Sequence, residues 1–470
     1  MSTYPTRCVH TLSQEENSIL SLAASDKYLF SGSQGLQIYV WDIKIFTLRG
    51  LLKGHQGSVL GLTLSPDQRL LFSSSGDGTV RVWDTETLEC LYIIHPCSDV
   101  GDIFVVVYSA ERETMYIGCQ NTSIQWHNLS KPPTTPTTAR FPPISPRYAS
   151  SASSHFFDGY PADVSRAGTE DDDEEPARET RFVADGDVYM SAHDGYVYAL
   201  LLGRDLPNDN GDILISGSGD GDVKLWTITD DASIRLLRTL PGNPDKGILT
   251  LALLDDEYLF CGMQGGDIKI WDLETYQIIR QLVAHTDDVL ALTIKNHQIF
   301  SGSADGTIRR WNRSFEYTEV WQEHEGIVLS MTTSRHYLMT GASDRLIKFW
   351  DIPTTPAQPS VDHQGNASDV LVYALEKWIA MRTISGQPKY LDECRRGAKF
   401  LKNVLKQLGA ESVMIPGASG RNPLVFGKFT ANASTKRVDR APNVLVYGHY
   451  DVISADVEDW STDPFELVGR

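Results

Sequence analysis

The chain has 470 residues, 41% of them hydrophobic, with 42 basic against 61 acidic side chains and a formal net charge of −19. A length like this holds roughly two to four domains and buries a sizeable core. So acidic a chain opposes phosphate backbones and anionic lipid, because Lys and Arg supply most of that affinity; nucleic acid and membrane are not expected partners.

The N-terminus, Met1 to Cys8, lacks the apolar core of a signal peptide. The longest apolar stretch, Ile103 to Tyr108, falls far short of the ~20 residues that span a bilayer. Cys8, Cys90, Cys97, Cys119, Cys261 and Cys394 lie at irregular distances without a CxxC pair. That spacing indicates neither a disulfide framework nor a cysteine zinc site, and free thiols fit a reducing compartment. A cytoplasmic protein is expected.

A Trp followed by a small or polar residue recurs at Trp41, Trp83, Trp126, Trp226, Trp271, Trp311 and Trp350. The steps are 42, 43, 100, 45, 40 and 39 residues, and all but one match the roughly 40–45-residue period of one four-stranded propeller blade. Residues 7–351 thus resemble the WD-repeat family, which implies an all-β seven-bladed propeller. Nothing strand-like follows Asp351, so the last blade lacks an outer strand. The segment Arg7 to Leu12 is expected to supply it, closing the ring and removing its exposed edges.

Six residues before four of the tryptophans stands an aspartate, and ten before stands a hydroxyl. The sets are Ser73, Asp77 and Trp83; Ser216, Asp220 and Trp226; Ser301, Asp305 and Trp311; Thr340, Asp344 and Trp350. A histidine opens each of these blades, at His55, His193, His285 and His324. In the WD-repeat family such a set forms a hydrogen-bonded network inside the blade, and a buried aspartate is tolerable only when donors satisfy it. The residue types match a hydrolase triad, but their repetition in four blades makes them structural.

Three blades depart from the pattern, with Gly35, Gln120 and Gly265 six residues before Trp41, Trp126 and Trp271. Within a regular blade, Asp305-Gly306 reads as a hairpin turn between strands at Gln298–Phe300 and Thr307–Trp311. The long step from Trp126 to Trp226 contains an insertion over residues 130–180, with a Pro- and Ser-rich part and the acidic run Glu170–Glu175. Its low hydrophobicity predicts a disordered loop leaving the propeller between blades three and four.

Residues 352–366 are Pro-rich and read as a linker. Beyond them the spacing predicts amphipathic helices over Ser368–Met381 and Tyr390–Leu408, then short strands at Glu411–Ile415 and Leu424–Phe429. Asn443 to Gly448 is an almost wholly apolar run of the kind a buried parallel strand shows. Helices followed by such strands predict an α/β domain over residues 367–470. Ligands and catalytic groups in open α/β sheets sit beyond the carboxyl ends of strands, where His449 falls. The pattern His449-Tyr450-Asp451 is weak by itself, since His285-Thr286-Asp287 repeats the spacing inside a propeller blade.

The helix around Glu393–Phe400, its stop at Leu408–Ala410, the strand before His449 and the stretch Trp460–Phe465 together resemble the two-zinc aminoacylase/carnosinase family of metallopeptidases, in its dipeptidase branch. The resemblance covers about 100 residues. It implies that His449 binds one zinc and that Asp451 belongs to the catalytic set by orienting the imidazole. Two zinc ions would activate a water, with a Glu as general base. The remaining ligands of that family have no counterpart up to Arg470, so the chain is expected to be an N-terminal part of such a protein and inactive alone. Without the resemblance, His449 reads as a hydrogen-bonded histidine at a strand end.

A WD propeller ahead of a dipeptidase-like domain resembles the fungal WD-repeat peptidase-like subunits of the cytosolic glutathione-degrading complex. That implies γ-glutamyl cleavage of a peptide or glutathione substrate, with a glutamine-amidotransferase-like partner docked on the propeller. The alternative is a non-catalytic WD-repeat scaffold carrying a relic peptidase domain.

Overall fold

The computed structural model describes residues 6–14, 17–131, 179–206, 209–296, 298–312, 315, 317–352, 375, 378–407, 410–415, 417, 421–429, 444–454, 460 and 463–465. Seven sheets of at least four strands form a seven-bladed propeller. Their innermost strands are Ile19–Ala24, Val59–Leu64, Ile103–Ser109, Val197–Leu206, Ile248–Leu254, Val289–Lys295 and Val328–Thr333. Leu20, Leu60, Phe104, Tyr198, Leu249, Leu290 and Leu329 from these strands line a central cavity of ≈ 270 Å³.

The ring closes as expected. Strand Arg7–Ser13 pairs antiparallel with Leu346–Asp351, from Arg7 opposite Asp351 to Ser13 opposite Leu346. The last blade therefore takes three strands from one end of the propeller sequence and one from the other.

Between blades, the contact is close enough to select for glycine. In five of the seven repeats, a glycine nine residues before the Trp sits on the second strand. A Cβ built at Gly32 would lie 2.7 Å from Val59 Cγ1, and one at Gly302 2.6 Å from Val328 Cγ1. Ser74 holds the position in blade two. Hydrophobic clusters consequently cross blade boundaries; one joins Tyr116 and Ile124 of blade three to Val197, Leu214 and Trp226 of blade four.

Blade three corrects the repeat register. Gly118 pairs with Ile124 as Gly32 pairs with Ile38, and Met115 pairs with His127 as Leu29 pairs with Trp41. His127, not Trp126, therefore occupies the tryptophan position, and Asn121 rather than Gln120 stands six residues before it. A one-residue shift turns every side chain to the other face of a strand, so the distinction changes what the blade can bond.

The insertion also leaves elsewhere than expected. The chain departs after the third strand of blade three, Ile124–Asn128, and returns as Glu179–Phe182, a fifth strand parallel to Cys90–His95 of blade two. Only then does Val188–Tyr189 complete blade three as a two-residue outer strand. The insertion thus lies inside blade three, and residues 132–178, predicted to be disordered, lie outside the described residues.

In the C-terminal region, helix α1 (Leu391–Gln407) follows a short 3₁₀ turn at Pro388–Tyr390. An antiparallel hairpin pairs Glu411–Ile415 with Leu424–Lys428. Most of the helix predicted over Ser368–Met381, and all of the linker but Ile352, lie outside the described residues; Leu375, Trp378 and Ile379 are helical.

The apolar run before His449 is not a buried strand. Residues 444–448 pair with no described strand, and Val444, Leu445 and Val446 are more than 80% exposed. A strand apolar on both faces is stable only between neighbours that take up its N–H and C=O groups, and the described residues supply none. They show helix α1, the helical pair Trp378 and Ile379, one hairpin and a single parallel bridge, Ile384 with Val452, rather than an α/β sheet.

Removal of residues 1–13 is expected to leave the edge of Leu346–Asp351 unpaired. Scanning calorimetry should then give a lower melting midpoint than the full chain, and light scattering should show edge-driven aggregation. An unchanged midpoint would mean that closure contributes nothing.

Candidate functional site

Two sets of histidine and carboxylate invite a chemical reading, and their geometries differ completely. In the regular blades the network assembles as the spacing predicts. His55 Nδ1 lies 2.8 Å from Asp77 Oδ2 and its Nε2 2.7 Å from Ser73 Oγ, while Trp83 Nε1 donates to the same hydroxyl at 2.9 Å. His193 lies 3.0 Å from Asp220 and 2.7 Å from Ser216, which accepts from Trp226 at 2.9 Å. His285 lies 3.1 Å from Asp305 and 2.8 Å from Ser301, which accepts from Trp311 at 2.9 Å. His324 lies 2.9 Å from Asp344 and 2.7 Å from Thr340, which accepts from Trp350 at 3.0 Å.

With a neutral imidazole every group is satisfied. Nδ1–H donates to the carboxylate, Nε2 accepts from the hydroxyl, and the hydroxyl oxygen accepts from the indole. Burial disfavours the imidazolium of His285 and pushes its pKa down from 6.5 to about 4. Burial disfavours the charge on Asp220, yet bonds from His193 and the backbone amides of Asp222 and Asp194 outweigh it and hold the carboxyl down at about 2. Asp77 is lowered in the same way, with Thr79 also donating to it. Each hydroxyl is fully buried and bonded to an indole, so no substrate carbonyl can reach it. These are structural networks, not triads.

Sequence spacing missed what the irregular blades do instead. Blade one keeps the hydroxyl: Trp41 Nε1 donates to Ser31 Oγ at 3.0 Å, and Ser31 donates to Gln14 Oε1 at 3.0 Å, the amide replacing the imidazole. Blade five has Cys261 at the hydroxyl position, and Asp267 pairs with Lys246 at 2.5 Å. Blade three has Ile117 there; Trp126 Nε1 and His127 Nε2 are buried with no hydrogen-bond partner among the described residues. Burial lowers the His127 pKa to about 4.

The second set is His449 and Asp451. Here the imidazole is open, its side chain 72% exposed against 25% for Asp451. His449 Nδ1 lies 3.7 Å from Asp451 Oδ1, longer than a hydrogen bond but facing it. Its Nε2 lies 3.5 Å from the Tyr447 hydroxyl. Asn422 Nδ2 donates to the other carboxylate oxygen of Asp451 at 3.4 Å. The strip carrying the pair is stitched in place: Val452 N donates to Thr383 O at 2.8 Å, and Thr383 Oγ1 donates to Tyr450 O at 3.0 Å. The Tyr450 hydroxyl donates to Pro423 O at 2.7 Å. Arg382, one residue before Thr383, lies 3.7 Å from Asp463 and its guanidinium sits over Phe465 at 5.4 Å. Asp463 and Phe465 thus lie beside the residue that precedes Thr383.

A carboxylate beside Nδ1 leaves Nε2, which here faces the Tyr447 hydroxyl, as the ligand atom of the imidazole, which fits one position of a metal centre. Among the described residues no group of three or more His, Cys, Asp and Glu could hold a metal ion, so the pair does not by itself make one.

Residues 6–42, 46–84, 187–227, 276–312 and 315–351 match the family described as WD domain, G-beta repeat. The chain carries WD repeats, and the propeller supplies two further blades, three and five, that the family match does not include. A Saccharomyces cerevisiae protein named Probable di- and tripeptidase DUG2 is 27% identical over 96% of this chain and 59% of its own length. Human Kinesin-like protein KIF21A is 23% identical over 66% of the chain and 19% of its own length. Mitochondrial division protein 1 of Pyricularia oryzae is 24% identical over 51% of the chain and 36% of its own. The chain therefore spans 59% of the length of the yeast relative, less than two thirds.

Replacing Asp77 by Ala is expected to lower stability by about 3 kcal/mol, because His55 and Trp83 stay buried around an incomplete network. Denaturant unfolding measures this, and His449→Ala should leave the same midpoint within about 0.5 kcal/mol because the imidazole is exposed. A pH titration of stability should show two windows. His285 is neutral in the fold, so its contribution is complete above pH 6.5 and is lost as pH falls toward 4. Asp220 contributes fully above its ordinary 3.8 and is lost as pH falls toward 2. Stability flat between pH 7 and 4 would contradict the neutral-histidine assignment.

Proposed function

We propose that the chain is the propeller-bearing part of a di- and tripeptidase-type hydrolase, acting in the cytoplasm on short peptides with a γ-glutamyl bond such as glutathione. The similarity to the yeast di- and tripeptidase carries this reading, because it runs through 96% of the chain and so includes the C-terminal region as well as the propeller. A likeness confined to WD repeats would say nothing about chemistry, since propellers serve many functions.

In this reading His449 Nε2 is one ligand of a zinc centre, and Asp451 holds the Nδ1 side of the ring in orientation. Asn422 keeps the carboxylate turned toward the imidazole. Bound zinc lowers the pKa of a water so that it can attack a peptide carbonyl at neutral pH. The propeller's role is to dock a second subunit of glutamine-amidotransferase type.

A scaffold without catalysis is the competing reading. The exposure of His449 and the lack of a three-residue ligand group among the described residues favour it.

The native gene product, with zinc and with its partner, should release amino acid from glutathione or dipeptides in a colorimetric assay. His449→Ala should lower turnover more than about hundredfold, and Asp451→Asn about 10–100-fold. Absence of hydrolysis with and without the partner, or full activity of His449→Ala, would establish the scaffold.

A further inference from the structure

We infer that one corner of blade five is a docking site for helix α1, formed by Glu257, Asp272 and Glu274, and that through it the propeller positions the segment bearing His449 and Asp451. Docking does not depend on whether the chain hydrolyses peptides, and its test reads structure rather than turnover.

Arg395, Lys399 and Lys402 stand at i, i+4 and i+7, so they share one face of α1. Lys399 Nζ lies 3.2 Å from Glu257 and 3.3 Å from Asp272, and it sits 4.0 Å from the centre of the Tyr258 ring. Lys402 pairs with Glu274. Arg395 donates to Gln277 Oε1 at 3.0 Å, and Gln277 donates in turn to Gly417 O at 3.3 Å.

The contact is dry. The side chains of Lys399, Asp272 and Glu274 are 9%, 1% and 5% exposed. A carboxylate buried so deeply needs a cation, and a buried cation needs carboxylates, so neither partner is stable with the other withdrawn. Asp42 and Asp84 hold the position of Asp272 in blades one and two, where they cap the turn by accepting from Lys44 N and Glu86 N. Asp272 makes the same bond to Glu274 N at 2.9 Å, but there the helix covers it. Its Oδ2, together with Thr275 Oγ1 and Arg395 Nη1, is buried without a hydrogen-bond partner, the expected sites of bridging water in a polar interface.

The other faces of α1 hold the rest of the region. A Cβ at Gly397 would come within 2.5 Å of Thr383 Cγ2, so this helix turn lies directly against the segment that binds residues 450–452. Ser412 Oγ donates to Lys402 O at 3.0 Å and ties the hairpin to the same helix. Contacts therefore run unbroken from blade five through α1 and Thr383 to the strip after His449.

Hydrogen–deuterium exchange on the full chain tests this. In the double variant Lys399→Glu, Lys402→Glu, α1 should exchange at least about tenfold faster while blades one and two exchange as before. Adding Asp272→Lys and Glu274→Lys should restore protection by swapping the charges. If the reversal unfolds the propeller, Lys399→Met removes the cation without repulsion and should still speed exchange in α1. Native protection of α1 in both Lys variants, or a charge swap that fails to restore it beside an intact propeller, would overturn the proposal.

Discussion

A sheet blade is stable only when its faces and edges all find partners, and the pairing of residues 7–13 with residues 346–351 lets seven blades meet that condition together. Each inner strand packs on the second strand of its neighbour, at a separation that admits glycine or serine and little else. No blade therefore has a core of its own. The clusters that hold Trp226 and Trp271 draw residues from two blades each, so a defect in one blade is carried by its neighbours. Closure turns an open stack into a ring in which this sharing has no end.

That sharing explains how two blades can discard the polar network. In the regular blades the network satisfies an aspartate, a histidine, a hydroxyl and an indole with one another, and each buried group removes the penalty of the next. Blade three breaks it altogether and leaves Trp126 Nε1 and His127 Nε2 without a hydrogen-bond partner among the described residues. It is also the blade whose outer strand is interrupted by the long insertion and shrinks to Val188–Tyr189. Blade five substitutes an ion pair, Lys246 with Asp267, and keeps four full strands. Its divergence has another outcome: its corner carries Glu257, Asp272 and Glu274, where a basic helix lies.

The repeat was legible because its period is set by blade size, and the four full networks because each needs fixed residue types at fixed offsets. Blade three was misread by one residue. Trp126-His127 resembles the start of a WD pair, and the residue in the register of the other tryptophans is the one nine positions after the packing glycine. Gly118 points to His127, as Gly32 does to Trp41 and Gly302 to Trp311. The glycine offset was the better ruler, since it reports contact between blades and not composition within one. The run Val444–Tyr447 failed for the opposite reason. Its sequence specifies a strand that wants cover on both faces, but cover is a property of neighbours, and no local pattern states whether they are present. His449 and Asp451 were legible as a pair; Asn422 was not, because a 29-residue separation brings it there only through the fold.

The acidity of the chain takes on a local meaning at α1. Against a net charge of −19, this helix carries Arg395, Arg396, Lys399, Lys402 and Lys406 within 17 residues. Burying ions is costly, and an apolar interface of the same area would bind as tightly, so ionic docking contributes orientation more than affinity. Apolar surfaces slide past one another with small loss, whereas Lys399 can satisfy Glu257 and Asp272 only in one register. Among the described residues, this region shows α1, one hairpin and an exposed apolar run, which together bury few apolar side chains. The rigid body nearest to it is the propeller, and charge is the means by which that rigidity reaches the strip beside His449.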